Sequence, residues 1–152
     1  MGNSGVKTRT LVAAGALLTG ALAARRAVSR RNEADLRGKV ALITGGSRGL
    51  GLALSEELGT RGCRLAICAR DVDELANAAQ MLSSRGVEVF TAVCDVTDRN
   101  QVARLLWDVT EHYGRIDILI ANAGIITVAP VTALSAEDFD RVTAVNFAGV
   151  MN

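Results

Sequence analysis

The 152-residue sequence holds one proline, one histidine and three cysteines. A single proline excludes a proline-rich chain, and fifteen glycines without a repeat exclude a collagen-like one. Cys63, Cys68 and Cys94 make no C-x-x-C pair, and His112 is the only histidine that could join them, so no zinc-ligand spacing exists. These cysteines read as small apolar filler in a reducing compartment. Acids are missing from residues 1–31, which carry Lys7, Arg9, Arg25, Arg26, Arg30 and Arg31. Of the 17 basic residues, that leaves 11 against 16 acids in the remainder, a net charge of −5. An acidic body argues against a nucleic-acid partner, which would need a basic face for phosphates.

What is present suits one domain with a core, because 49% of the residues are hydrophobic and 22% charged. Residues 1–36 form a basic leader. Within it, Leu11–Ala24 is uncharged and apolar. As a helix, those fourteen residues span roughly 21 Å, short of a hydrocarbon core of about 30 Å. Thr10 and Ala27-Val28 extend it to a candidate membrane anchor over residues 10–28, with Arg25 and Arg26 snorkelling. The arginines that follow place the body in the cytoplasm by the positive-inside rule. A cleaved signal peptide, with Ala21-Leu22-Ala23 at its end and a soluble product, is an alternative. An organelle transit peptide is another.

Beyond the leader, short apolar runs alternate with amphipathic stretches. Strands are expected at Val40–Thr44, Arg64–Ala69, Glu88–Val93 and Ile116–Ala121. Helices are expected at Leu52–Thr60, from a capping box at Asp71-x-x-Glu74 to Ser84, and from a second box at Asp98-x-x-Gln101 to Tyr113, stopped by Gly114. A last helix, capped by Ser135, runs from Ala136 to the end. This order predicts an α/β fold, a doubly wound parallel sheet of the Rossmann type with four strands, buried on both faces. Trp107 and Phe139 read as packing residues, His112-Tyr113 as solvated or structural, and Asp117 as a structural contact at a strand start.

Between the first strand and first helix lies Thr44-Gly45-Gly46-Ser47-Arg48-Gly49-Leu50-Gly51. Glycines there let the backbone turn sharply and approach a pyrophosphate, while the helix amino terminus offers N–H groups and a positive dipole end. The spacing T-G-x-x-x-G-x-G resembles the short-chain dehydrogenase/reductase family. Three further segments are similar to that family's, in the same order. Cys94-Asp95-Val96-Thr97 resembles its Asp-Val segment, in which Asp95 and Val96 would cradle adenine. Ala121-Asn122-Ala123-Gly124 resembles its Asn-Asn-Ala-Gly motif, with alanine for the first asparagine. Val145-Asn146 resembles the active-site asparagine, which shapes its helix and holds a water of the proton relay. The resemblance covers about residues 37–152.

Charge argues for the cofactor. A site for NAD places an acid at the end of the second strand to hold the ribose 2′-hydroxyl. Here Ala69-Arg70 stands there, and Arg48 adds a second guanidinium. Two such contacts favour the 2′-phosphate of NADP(H). Arg70 also disfavours a Rossmann methyltransferase. The resemblance implies hydride transfer between NADP(H) and a small carbonyl or alcohol, and a homo-oligomer at full length. The family's acid is a tyrosine in Tyr-x-x-x-Lys. The only tyrosine is Tyr113, with Asp117 four residues on, and the only lysines are Lys7 and Lys39. The chain is therefore expected to be the amino-terminal part of a longer enzyme, inactive alone. The alternative is a truncated, non-catalytic nucleotide-binding sensor or interaction module.

Overall fold

The computed structural model describes residues 35–152. The candidate anchor at residues 10–28 lies outside the described residues. Strands β1 (Val40–Thr44), β2 (Arg64–Ala69), β3 (Val89–Val93) and β4 (Ile118–Ala121) alternate with helices α1 (Gly49–Thr60), α2 (Val72–Ser84) and α3 (Arg99–Tyr113). After β4, a 3-10 turn at Val131–Ala133 leads to α4 (Ala136–Thr143). A π-helical turn at Ala144–Ala148 and a closing turn at Gly149–Met151 complete the chain. The sheet is parallel throughout, in the order β3-β2-β1-β4. Strand order reverses between β1 and β4, and the strand carboxyl ends at such a switch point are where ligands bind in doubly wound sheets.

Strand alternation sorts the core into two layers. Ala41 and Ile43 of β1 pair in register with Leu65 and Ile67 of β2, and this face meets Leu75, Ala78 and Leu82 of α2. Val40, Leu42, Ala66 and Cys68 point the other way and meet Leu105, Val109 and Tyr113 of α3. Each fully buried leucine or isoleucine contributes about 1.5–3 kcal/mol. The expectation of strands buried on both faces holds for β1 and β2. It fails for β3 and β4, whose positions are half-buried or exposed, because among the described residues each is an edge strand with one neighbour.

Helix ends follow their local chemistry. Asp71 accepts the Glu74 N–H at 2.9 Å, Asp98 accepts those of Asn100 and Gln101, and Gly114 closes α3 at φ 77°. Ser135 and Asp138 form a complete capping box on α4. The boxes expected at Asp71 and Asp98 form by one half only. Gln101 instead accepts the Asp95 N–H at 2.9 Å, and Glu74 reaches out of its helix. Four boundaries also differ. Gly49-Leu50-Gly51 is already helical, β3 begins at Val89, β4 begins at Ile118, and the last helix is interrupted by the π turn.

Tyr113 is buried and its hydroxyl donates to the Leu65 carbonyl at 3.0 Å, so it is structural. His112 packs its ring 5.0 Å from that of Phe90. Asp117 accepts the Val40 N–H at 2.9 Å, the strand-start contact expected of it. All three cysteines are buried, and burial pushes the Cys68 thiol up to about 12, with neighbouring Cys94 the second cause. They are filler, as read. Trp107 and Phe139 are not packing residues here: they are 68% and 61% exposed. Trp107 lies on the outer side of α3, and Phe139 on α4, where the described residues do not cover it.

Candidate dinucleotide site

β1 ends at Thr44, and the chain turns through Gly45 (φ 66°) and Gly49 (φ 57°) into α1. Both angles lie in the left-handed region that glycine adopts at little cost. Contact, more than angle, dictates the other glycines. A Cβ on Gly46 would lie 2.7 Å from that of Ile67, and one on Gly51 would run into the Gly45 carbonyl oxygen. The loop is therefore folded back against the start of its own helix.

Arg48 is the N-cap of α1 and supplies no side-chain cap, whereas Asp71, Asp98 and Ser135 cap the helices that follow. The first turn of α1 thus keeps N–H groups without a side-chain acceptor at the positive end of the helix dipole. That is the arrangement an anion takes.

A cleft of about 720 Å³ opens above this turn. It brings together Gly45, Ser47, Arg48, Gly49, Leu50, Arg70, Asp95, Val96, Asn122, Ala123 and Gly124, from four separate segments. These are all the cofactor residues read from the sequence except Gly51, which lies beneath the loop. Leu50 is exposed at the rim.

Asn122 works on the loop from behind. Its side-chain amide donates to the Thr44 and Gly45 carbonyls, both at 3.1 Å, and its backbone N–H donates to Thr44 Oγ1 at 3.1 Å. Ala123 N–H donates to the same hydroxyl at 3.0 Å. Asn122 thereby ties the end of β4 to the end of β1.

Asp95 makes a local turn, accepting the Thr97 N–H at 2.9 Å and its hydroxyl at 2.8 Å. The Thr97 N–H is the main reason its carboxyl lies below the usual range; the charge of Arg70 adds to it, against the opposing effect of burial. Arg70 Nη1 stands 3.9 Å from the other Asp95 oxygen.

Asn146 lies outside this cleft, in the π turn. Its Oδ1 accepts the Ile125 N–H at 2.8 Å and its Nδ2 donates to the Ile125 carbonyl at 2.9 Å. A strand-like reciprocal pair of this kind fixes the segment just after Gly124. Asn146 lines a smaller apolar hollow of about 260 Å³ that shares Ile125 with the larger cleft.

Residues 39–152 match the family described as short chain dehydrogenase. The chain belongs to the short-chain dehydrogenase/reductase family. A tropinone reductase homolog of Arabidopsis thaliana is 40% identical over 126 residues, covering 81% of this chain and 47% of the relative. A short-chain type dehydrogenase/reductase of Mycobacterium marinum superposes with a TM-score of 0.74 at 37% identity, over 77% of this chain and 47% of that one. A short-chain dehydrogenase/reductase of Burkholderia phymatum, solved in complex with NAD, gives 0.74 at 33% identity, over 78% and 42%. The chain therefore spans about half the length of the relatives it matches.

Members of this family are oxidoreductases that use a nicotinamide cofactor, and the cleft suits one. Glycines leave room where side chains would collide, an uncapped helix start faces the loop, and two guanidiniums flank the mouth. Sequence reasoning missed Asp71, Glu74 and Ile125 among the lining residues. Glu74 was legible only as a capping residue, because its loop partners lie 26 and 27 residues away in sequence.

Proposed function

We propose that this chain is the NADP(H)-binding part of an oxidoreductase that interconverts a carbonyl and an alcohol by hydride transfer. The observation that carries the cofactor choice is the pair of exposed guanidiniums, Arg48 and Arg70, lining one cleft beside the uncapped start of α1. A 2′-phosphate carries a charge of about −1.5 to −2 near pH 7 and takes bidentate arginine contacts. NADPH supplies the hydride. Asp95 and Val96 flank the adenine, the glycine loop and the first turn of α1 bind the pyrophosphate, and Asn122 keeps the loop in shape. Asn146 acts as a positioning residue through its hold on Ile125.

The partner proton requires an acid of tuned pKa. Tyr113 does not qualify: its hydroxyl is committed to Leu65, and burial pushes it up to about 12. Tyr113, the single tyrosine of the sequence, is therefore not that acid, and what we assign to these residues is cofactor binding.

Titration with NADPH and NADH tests the reading. NADPH is expected to bind at least tenfold tighter, and Arg70→Asp to erase most of that difference. Equal affinities in the unaltered chain would refute it. A second reading, NAD(H), has its own support: the carboxylates of Asp71, Glu74 and Asp95 share the cleft. The other reading is a truncated, non-catalytic nucleotide-binding sensor or interaction module, which weak NADPH binding without turnover would support.

We also propose that the leader anchors the protein to a membrane with the cleft on the cytoplasmic side. No helix among the described residues is long and apolar enough to cross a membrane. Deletion of residues 1–31 is expected to release the protein into the soluble fraction. Continued sedimentation with membranes would count against the anchor.

A further inference from the structure

We propose that Glu74 is a specificity-determining residue of the cleft, whose carboxylate holds the anion partners Ser47 and Arg48 and yields them to the 2′-phosphate of the cofactor. The inference rests on the NADP(H) reading above. Glu74 is the third residue of α2, and its N–H is taken by Asp71. At that position, a glutamate ordinarily completes a capping box by reaching back to the N–H of the cap residue. Here it does not. Oε2 accepts the Ser47 hydroxyl at 3.0 Å and Oε1 stands 3.4 Å from Arg48 Nη1. Ser47 is buried, while the Arg48 side chain is 81% exposed on the cleft side of the loop. One carboxylate thus bridges the glycine loop to α2 with both of its oxygens.

A hydroxyl donor beside a guanidinium is also the pair a phosphate monoester takes. A carboxylate and a phosphate cannot both take those donors, since the Ser47 hydroxyl has one proton to give and two anions at contact distance repel. Displacement leaves Glu74 a place to go. The N–H of Asp71 lies at the start of its own helix, and an acid in the first turn is favoured by the dipole. The exchange is therefore balanced in hydrogen bonds: phosphate on Ser47 and Arg48, Glu74 on Asp71. A dinucleotide with a free 2′-hydroxyl needs no such displacement and finds in Glu74 an acceptor for that hydroxyl. Glu74 accordingly narrows the preference for NADPH over NADH.

The test uses the 152-residue chain and its Glu74→Gln variant, titrated calorimetrically with NADPH, NADH and adenosine 2′,5′-bisphosphate. Glutamine keeps the capping geometry and removes the charge. NADPH and the bisphosphate are expected to bind about three- to tenfold tighter to the variant, with NADH unchanged or weaker. A second measurement needs no variant. The Asp71 amide of the unaltered chain, followed by NMR hydrogen exchange, is expected to gain protection with adenosine 2′,5′-bisphosphate but not with ADP. An unaltered chain that does not distinguish NADPH from NADH overturns the cofactor reading itself. A chain that prefers NADPH overturns only the role of Glu74, if the variant's NADPH-to-NADH ratio stays put or falls, or if the Asp71 amide does not respond.

Discussion

The carboxylate of Asp117 accepts the Val40 N–H at 2.9 Å, stands 3.5 Å from the Lys39 ammonium and bonds to the Arg115 guanidinium. The Arg115 contact is the largest reason its carboxyl is held down at about 2, with the Val40 N–H next. A carboxyl depressed in the folded state contributes stability above its unfolded value near 4, and that contribution is lost as pH falls toward 2. Asp117→Asn is therefore expected to flatten the pH dependence of the urea midpoint between about pH 4 and 2. Parallel slopes for both proteins would show that Asp117 contributes nothing to acid unfolding. Gly51 presents a steric problem instead. A methyl group there meets the Gly45 carbonyl oxygen and lies 2.6 Å from Asn122 Nδ2. Neither is the end of a long flexible chain, so the loop itself must move. Gly51→Ala is expected to cost about 1–3 kcal/mol in denaturant unfolding and to abolish dinucleotide binding. Binding at the original affinity would show that the loop opens without consequence.

At the scale of elements, the cleft depends on two asparagines that brace one piece of chain against another. Asn122 joins the ends of β4 and β1, and Asn146 joins the π turn to Ile125. Asn122→Ala leaves the Thr44 and Gly45 carbonyls without their amide donor. It is expected to cost about 1–2 kcal/mol of stability and to weaken NADPH binding by more than tenfold, through a loosened loop. Unfolding curves and titration measured on the same sample separate the two effects; unchanged affinity would mean the loop holds its shape unaided. These braces also mark where the sequence was readable. The ends of β2, α2 and α3 were legible because caps such as Asp71 and Asp98, and a stop such as Gly114, act on residues one to four positions away. The first turn of α1 was not, because Gly49-Leu50-Gly51 has the composition of a loop and becomes helical through its packing on Gly45. The π turn was not either: it forms around Asn146, whose partner Ile125 is 21 residues distant. Asn122 and Asn146 were found as motif residues, yet their hydrogen bonds to loop backbone belong to tertiary geometry that no local spacing encodes.

For the whole molecule, the telling surface is the β4 side of the sheet. Among the described residues β4 pairs only with β1, and Leu119, in register with Leu42, is 61% exposed on the face that α3 covers elsewhere. Nearby chain adds Ile126, Val128 and Val131, each more than four-fifths exposed, and Phe139 and Phe147 are about two-thirds exposed. An edge strand beside apolar surface invites pairing with another chain, and this edge carries no lysine or proline to discourage it. The opposite edge, β3, shows fewer such residues, with Val93 the exposed apolar side chain there. The 152-residue chain is thus expected to elute well above its 15.9 kDa mass in light-scattering chromatography at micromolar concentration. Leu119→Lys is expected to shift it toward the monomer, because the substitution adds charge to the free edge and removes no contact from either core layer. NADPH affinity should stay within about twofold, since Leu119 does not line the cleft. A wild-type chain that already runs as a monomer would show that the β4 edge is covered from within, and the exposed leucine would then need another explanation than the one the sheet order gives.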